Sequence, residues 1–375
     1  MDFKLTAEQE KLKKTLTEFC AAEIGPRAAE VDEKAEFPAE NWKKLAEQGV
    51  MALTVPEQYG GAGKDLATAL TAISVIAEHC ASTAEVVATS MLCAGKAIEI
   101  YGSEQLKQRI LPELAKGCEI GALAVSEQGA GSDIAAIKTT AEKCGDEYVL
   151  KGEKAYVTNA PVADGIVTLT KTGDSFTVFA APKFAAGICV GAPARTLGMR
   201  GAVAANISFN DVYLGDNNIL GGYGNGLAVI ADIFDYVRLN VCAVANGISI
   251  AAYNVAKNHA ENRESFGKPL AAHQIVAFRV TDMHVDADVS RMLMHNAAWK
   301  KQNGEKCAPF VALAKVSASD TAIKNSDRCM KVLASAGLSA DSPAQRIYRD
   351  ARLMEIAGGT NDILRQIIAR DLLEL

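Results

Sequence analysis

A change of periodicity part-way along the chain constrains its fold more than any other feature of the sequence. Residues 1–118 and 227–375 carry apolar residues at helical spacing, whereas 119–226 break into short alternating runs. The runs Ile120 to Val125, Tyr148 to Leu150, Ile166 to Leu169, Phe176 to Ala180 and Ile207 to Phe209 are separated by Gly, Asp and Pro turns. Three domains are therefore expected: helical over 1–118, β over 119–226 and helical over 227–375. Without a repeating β-α alternation, a doubly wound dinucleotide fold is excluded. The glycines at 222, 224 and 226 follow no buried parallel strand and read as a turn.

Within the first region, Thr6 and Gln9 form a T-x-x-Q capping pattern, and Phe19 and Ile24 continue an apolar stripe. Pro38, Pro56 and the Tyr59–Gly63 turn punctuate it before an alanine-rich helical stretch from Leu66 through Ile100. The last region is interrupted near Gly267-Lys268-Pro269, Gly304 and Gly337.

Composition narrows the function. A net charge of −6 supplies no basic excess for phosphate backbones, so a nucleic-acid partner is not expected. Apolar runs such as Gly226 to Ile233 are too short to span a bilayer, and the start Met1-Asp2-Phe3-Lys4-Leu5 has no secretory pattern. Nine scattered cysteines without a CxxC favour reduced thiols and a cytoplasmic location. Isolated histidines such as His284 and His295 lack ligand-spaced partners, so no metal is expected.

Two stretches carry the chemistry. Val125-Ser126-Glu127-Gln128-Gly129-Ala130-Gly131-Ser132-Asp133 and Tyr156-Val157-Thr158-Asn159-Ala160 each place small hydroxyls beside a strand. There, backbone N–H groups and hydroxyls can approach a flat polar ligand. In order and with their flanks, they resemble the flavin-facing segments of the acyl-CoA dehydrogenase family, in its medium- and short-chain branch. The resemblance covers almost the whole chain. Val55 to Gly63, Tyr101-Gly102-Ser103 with Leu111-Pro112, and Leu197-Gly198-Met199-Arg200-Gly201 match further family segments. Asn262 to Pro269 followed by Gln274 is similar to its R-x-Q-F-G-K-P…Q element.

The resemblance implies an α+β, mainly α fold: an N-terminal helical domain, a central β-barrel-like domain and a C-terminal four-helix bundle forming a tetramer core. It implies FAD as cofactor, an acyl-CoA or enoyl-CoA substrate and an electron-transfer flavoprotein as redox partner. Val125, Ser126, Ser132, Tyr156, Val157 and Thr158 would meet the flavin, with Thr158 facing N5 and Ser132 also touching the coenzyme A arm. Arg263, Phe266 and Gln274 would hold a flavin seated mainly in a neighbouring subunit. Thr360 and Asp362 fall at flavin-contacting positions, and Asp235, Arg238 and Gly359 at substrate-contacting ones.

The departures lie in the C-terminal third. Ser265 stands where the family has glutamine, and Lys331-Val332-Leu333-Ala334-Ser335 replaces the Q-x-x-G-G that meets the adenosine half. Ile356-Ala357-Gly358-Gly359-Thr360-Asn361-Asp362 replaces I-Y-E-G-T-[SN]-E, leaving Gly358 in the seat of the catalytic glutamate. The alternative seat, before an arginine on the preceding helix, is Val237 beside Arg238. Asp235, Glu355 and Asp362 are the nearby acids, and Ala357-Gly358 should enlarge the pocket floor. No arginine between Ala81 and Ala94 suggests an anionic substrate tail. These residues imply an oxidoreductase working at the α,β-carbons of a thioester, in the enoyl-CoA reductase direction. The alternative is a base-deficient subunit of a mixed tetramer, with a structural or flavin-sharing role.

Overall fold

The computed structural model describes residues 5–374, so residues 1–4, on which the secretory-signal expectation partly rests, lie outside the described residues. The chain opens with seven helices: α1 (Ala7–Glu23), α2 (Ala28–Lys34), α3 (Ala39–Glu47), α4 (Leu66–His79), α5 (Ala81–Ala88), α6 (Lys96–Tyr101) and α7 (Glu104–Lys116). Thr6 caps α1 in a full capping box with Gln9, and Asp65 caps α4 through the amide of Thr68. The helix expected from Leu66 through Ile100 is divided. Cys80 is extended (φ −154°, ψ 102°), and Thr89–Gly95 adopts π-helical turns between α5 and α6. The break at Cys80 has no proline or glycine beside it, which is why the sequence does not announce it, while the π-helical turns end at Gly95.

The middle strands are β1 (Gly121–Ala124), β2 (Thr140–Cys144), β3 (Glu147–Thr158), β4 (Gly165–Thr172), β5 (Ser175–Pro182), β6 (Ile188–Val190), β7 (Ala204–Gly215) and β8 (Ile219–Leu220). They form one sheet in the order β6-β7-β3-β2-β4-β5-β8, with β1 parallel to β4. Period-2 alternation sends β4 and β5 side chains into two different cores. Val167, Leu169, Val178 and Ala180 pack toward α6, α7 and the start of the next helix, while Ile166, Phe179 and Ala181 join residues of β3 and β7. Tyr148 on β3 meets Phe179 on β5 at 5.4 Å between ring centroids, although two strands separate them in the sheet. The sheet therefore curls over its own core. This is the barrel-like expectation in open form, since β6 and β8 do not pair.

The chain ends in α8 (Gly226–Asn262), the short hairpin strands β9 (Glu264–Ser265) and β10 (Lys268–Pro269), α9 (Gln274–Gln302), α10 (Ala308–Leu333), α11 (Pro343–Met354) and α12 (Asn361–Leu372). The three long helices α8, α9 and α10 pack on one another, with α11 and α12 against α10. The Gly222–Gly226 stretch is the turn that feeds α8, as its spacing suggests, with positive φ at Gly222 and Gly224.

Helix α8 also reaches back to the N-terminal domain and packs along α4. The closest approach is at Gly247, where an added Cβ would stand 2.4 Å from the Ala77 Cβ and 2.4 Å from the Ser74 carbonyl oxygen. A side chain there must push two buried helices apart. Gly247→Ala is expected to lower unfolding free energy by about 1–3 kcal/mol. Urea unfolding of the variant beside the wild type checks this, and equal midpoints would show that the contact is compliant.

Candidate functional site

Two buried polar anchors shape the cleft. The first is an ion pair under the 125–133 segment. Glu127 Oε1 accepts from Lys154 Nζ (2.9 Å), the Thr139 amide (2.9 Å) and the Thr139 hydroxyl (2.6 Å), and Oε2 accepts from the Lys138 amide (2.7 Å). Lys154 is fully buried and donates a further bond to the Val125 carbonyl at 3.0 Å. Burial alone would raise the Glu127 carboxyl, but the Thr139, Lys138 and Lys154 donors outweigh it and hold the group below the usual carboxylate range. Burial pulls the Lys154 ammonium down despite its partner. Tied this way, Ser126 lies alongside β3, where its carbonyl accepts from the Ala155 amide at 2.8 Å.

The second anchor is Asn159. Its carboxamide donates to the Val86 carbonyl on α5 (2.9 Å) and to the Gly121 carbonyl on β1 (3.1 Å). Thr158, one residue before it, is thereby placed against the N-terminal domain. Between the anchors, the β3–β7 register shifts from Lys154 to Val157. Tyr156 bulges outward there, at φ +56° and 65% exposed, while Val157 stays buried. The structure thus brings together Val125, Ser126, Tyr156, Val157 and Thr158, as the sequence anticipates. Among the described residues, the half-buried hydroxyls of Ser126 and Thr158 have no hydrogen-bond partner within the chain. Lys154 and Asn159 were missed as site residues. Lys154 carries no signal of its own in the sequence, and only the fold buries it against Glu127.

The other wall comes from α8 and the loop between α11 and α12. Gly358 has φ +69°, and a Cβ built on it would lie 3.5 Å from Val237 Cγ1 and 3.4 Å from Arg238 Cγ. The two positions singled out for a carboxylate therefore converge on one spot, approached from two elements. Arg238 Nε donates to the Gly358 carbonyl at 3.2 Å. The nearby acids are committed elsewhere. Asp235 is buried against Lys301 (3.1 Å) and Arg238 (3.4 Å), Glu355 pairs with Arg352 (3.5 Å), and Asp362 pairs with Arg365 (3.2 Å). Thr360 caps α12 through the Ile363 amide. Below the loop, the fully buried Lys315 donates to the Gly359 carbonyl (3.0 Å) and to Asn361 Oδ1 (2.9 Å).

The remaining predicted residues stand apart from this cleft. Ser132 is exposed on the 125–133 turn. Arg263, Phe266 and Gln274 are exposed beyond the far end of α8, and Phe266 is 93% exposed at the tip of the β9–β10 hairpin. At ~1.5 Å per helical residue, Arg263 is ~38 Å along the helix from Arg238. Lys331 is exposed near the end of α10 and pairs with Asp327 at 2.6 Å.

Comparison with known proteins gives three family matches in chain order: the acyl-CoA dehydrogenase N-terminal domain over 6–118, its middle domain over 122–212 and its C-terminal domain over 224–373. The chain belongs to the acyl-CoA dehydrogenase family. It is 36% identical to the mitochondrial short-chain specific acyl-CoA dehydrogenase of Sus scrofa over 97% of this chain and 89% of that one. It is 33% identical to the short-chain specific acyl-CoA dehydrogenase of Clostridium acetobutylicum over 98% and 99%. The butyryl-CoA dehydrogenase structure from Megasphaera elsdenii superposes with a TM-score of 0.96 at 29% identity, covering all of both chains. A chain from a structure of the Acidaminococcus fermentans electron transferring flavoprotein superposes at 0.97, with 30% identity and full coverage.

As an acyl-CoA dehydrogenase family oxidoreductase, the chain uses FAD. The unpartnered hydroxyls of Ser126 and Thr158, beside the exposed backbone of the bulge at Tyr156, offer the donor and acceptor set that a flavin edge requires. Among the described residues, no group of three or more His, Cys, Asp or Glu side chains could hold a metal ion. Likewise no described helix is long and apolar enough to cross a membrane.

Lys315 makes the loop's stability depend on pH. Burial lowers its ammonium from 10.5 to about 8 in the folded chain. Between those values the unfolded chain binds the proton that the folded chain has released, so stability rises with pH across that window. Lys315→Gln should lose this rise, which urea midpoints measured from below pH 8 to above pH 10 would reveal. Parallel profiles for the variant and wild type would contradict it.

Proposed function

We propose that this chain is an FAD-dependent oxidoreductase acting at the α,β-carbons of a short acyl-CoA or enoyl-CoA thioester, and that it runs in the reductase direction. The observation that carries this reading is the convergence of Gly358 and Val237 on one spot without a carboxylate. A positioned base contributes about 10²- to 10⁴-fold to abstraction of an α-proton. Reduction of an enoyl thioester needs a proton donor at the α-carbon in place of that base, a role that solvent water takes here with release of hydroxide while hydride reaches the β-carbon. FAD, when bound, supplies hydride exchange at the β-carbon. The chain's own groups orient the thioester and keep the site dry: Arg238 braces the 357–361 loop, and Asn159 fixes the end of β3 that carries Thr158 against α5.

The short-chain and butyryl names of the relatives support a short acyl group, and the electron transferring flavoprotein relative supports a partner of that kind. Arg263, Phe266 and Gln274 lie at and beyond the far end of α8, too far to serve the cleft of their own chain, which supports a tetramer whose subunits share flavin contacts. A second reading, a base-deficient subunit of a mixed tetramer, draws on Lys331 at its adenosine-facing position. The exposed and unspent Arg263 and Phe266 favour a self-sufficient flavin site instead.

The purified chain should carry close to one flavin per subunit by its visible spectrum. Its reduced flavin should be reoxidised rapidly by crotonyl-CoA, while butyryl-CoA bleaches the oxidised flavin at least ~10²-fold more slowly. Fast bleaching by butyryl-CoA would overturn the reductase reading, and a colourless folded protein would favour the mixed tetramer. Backbone conformation ranks two rescue variants. Val237→Glu sits on a helix without strain, whereas Gly358→Glu must hold a left-handed backbone at a cost of about 1–2 kcal/mol. Val237→Glu should therefore gain more butyryl-CoA dehydrogenation, read by dye reduction. A gain confined to Gly358→Glu would show that the approach from α8 is misaimed.

A further inference from the structure

Beyond the base seat lies a buried polar pair that the fold leaves unfinished. Glu85 on α5 is 6% exposed and Asn240 on α8 is 1% exposed. Glu85 Oε1 accepts from the Thr89 hydroxyl at 3.3 Å, and the Asn240 side chain is near enough to ease the burial of the carboxyl. Glu85 Oε2 and the Asn240 carbonyl oxygen nevertheless have no partner. No lysine, arginine or histidine pairs with Glu85 among the described residues. Burial pushes its carboxyl up to about 7. Leaving a buried acceptor unpaired costs about 1–3 kcal/mol, so two together require a cause.

Their position supplies one. Asn240 is three residues beyond Val237 and shares its helix face, ~4.5 Å further along the axis. Glu85 precedes Val86, whose carbonyl receives the Asn159 carboxamide one residue from Thr158. Asn240 thus sits about one helical turn along α8 from the spot shared by Val237 and Gly358, the distance covered by the outer carbons of a short acyl chain. With Glu85 ionised, both unpaired atoms are acceptors, so the complementary group must bring donors. An alkyl tail would leave both oxygens unpaired, and a carboxylate tail would set like charge against Glu85.

We propose that Glu85 and Asn240 recognise the distal end of the acyl group, and that the preferred thioester carries a protonated amine there. This assignment rests on the thioester-oxidoreductase reading above. It makes Glu85 a specificity-determining residue: its carboxylate takes the N–H and the positive charge, and the Asn240 oxygen takes a second donor or the polarised N–CH groups. Thr89 holds the carboxyl in place.

The test uses the flavin-loaded full chain and three coenzyme A thioesters: γ-(dimethylamino)butyryl-CoA, which keeps one N–H and cannot cyclise to a lactam, its isosteric hydrocarbon analogue, and glutaryl-CoA. Dissociation constants come from the perturbation of the flavin spectrum and from calorimetry. The ammonium thioester should bind at least ~10-fold tighter than the hydrocarbon analogue, with glutaryl-CoA weakest. In Glu85→Gln the ratio between the first two should fall to near one, and Asn240→Leu should reduce it. Equal binding of the first two by the wild type overturns the amine assignment and leaves the thioester reading standing. A preference that persists in Glu85→Gln removes Glu85 from it. Failure of all three to bind overturns the thioester reading and this assignment with it. Should either variant fail to fold, the wild-type ratio still decides.

Discussion

The cleft depends on one side chain that ties three elements together. Asn159 stands at the end of β3 and donates to carbonyls on α5 and β1. Both bonds are buried, and a carbonyl left without its donor there would cost far more than an exposed one. Because of this clamp, the β-domain edge carrying Ser126 and Thr158 has a fixed position against the helical domain carrying Glu85. The Glu127–Lys154 pair performs the same service earlier on the same strand, holding the 125–133 turn onto β3. The cleft is thus a seam between domains, and buried polar bonds help set its register.

Across that seam, α8 does two jobs. Its first turns bring Val237, Arg238 and Asn240 to the cleft, while its far end projects Arg263 and the β9–β10 hairpin away from it. A helix of 37 residues is long enough to separate these roles completely. The loop opposite carries Gly358 in the left-handed region, a conformation that disfavours any side chain with a Cβ. A glutamate introduced at Gly358 would therefore bear backbone strain as well as desolvation.

The motifs were legible because their chemistry is local. The Thr6 capping box, the strands around Ile166 and Phe176 and the turn before α8 follow from neighbouring residues. Other features escaped because they depend on remote partners. Lys154 becomes a buried cation only when Glu127, 27 residues earlier, folds over it. The divided helix between Leu66 and Ile100 contains no proline, and its break at Cys80 has no glycine beside it. Its π-helical segment packs against β1 and α8, contacts of tertiary origin. Glu85 reads as one more helical glutamate until burial removes its water.

The sequence by itself determined the order of domains, the strand and helix periods, the family and its flavin, because each is written in short-range pattern and contiguous motif. Only the tertiary structure decided that Gly358 and Val237 occupy a single spot and that the neighbouring acids are already paired. It likewise decided that Glu85 and Asn240 share a buried corner with acceptors to spare. Those facts are distances between residues from remote parts of the chain, fixed by how α5, α8 and the α11–α12 loop pack, and no local pattern encodes them.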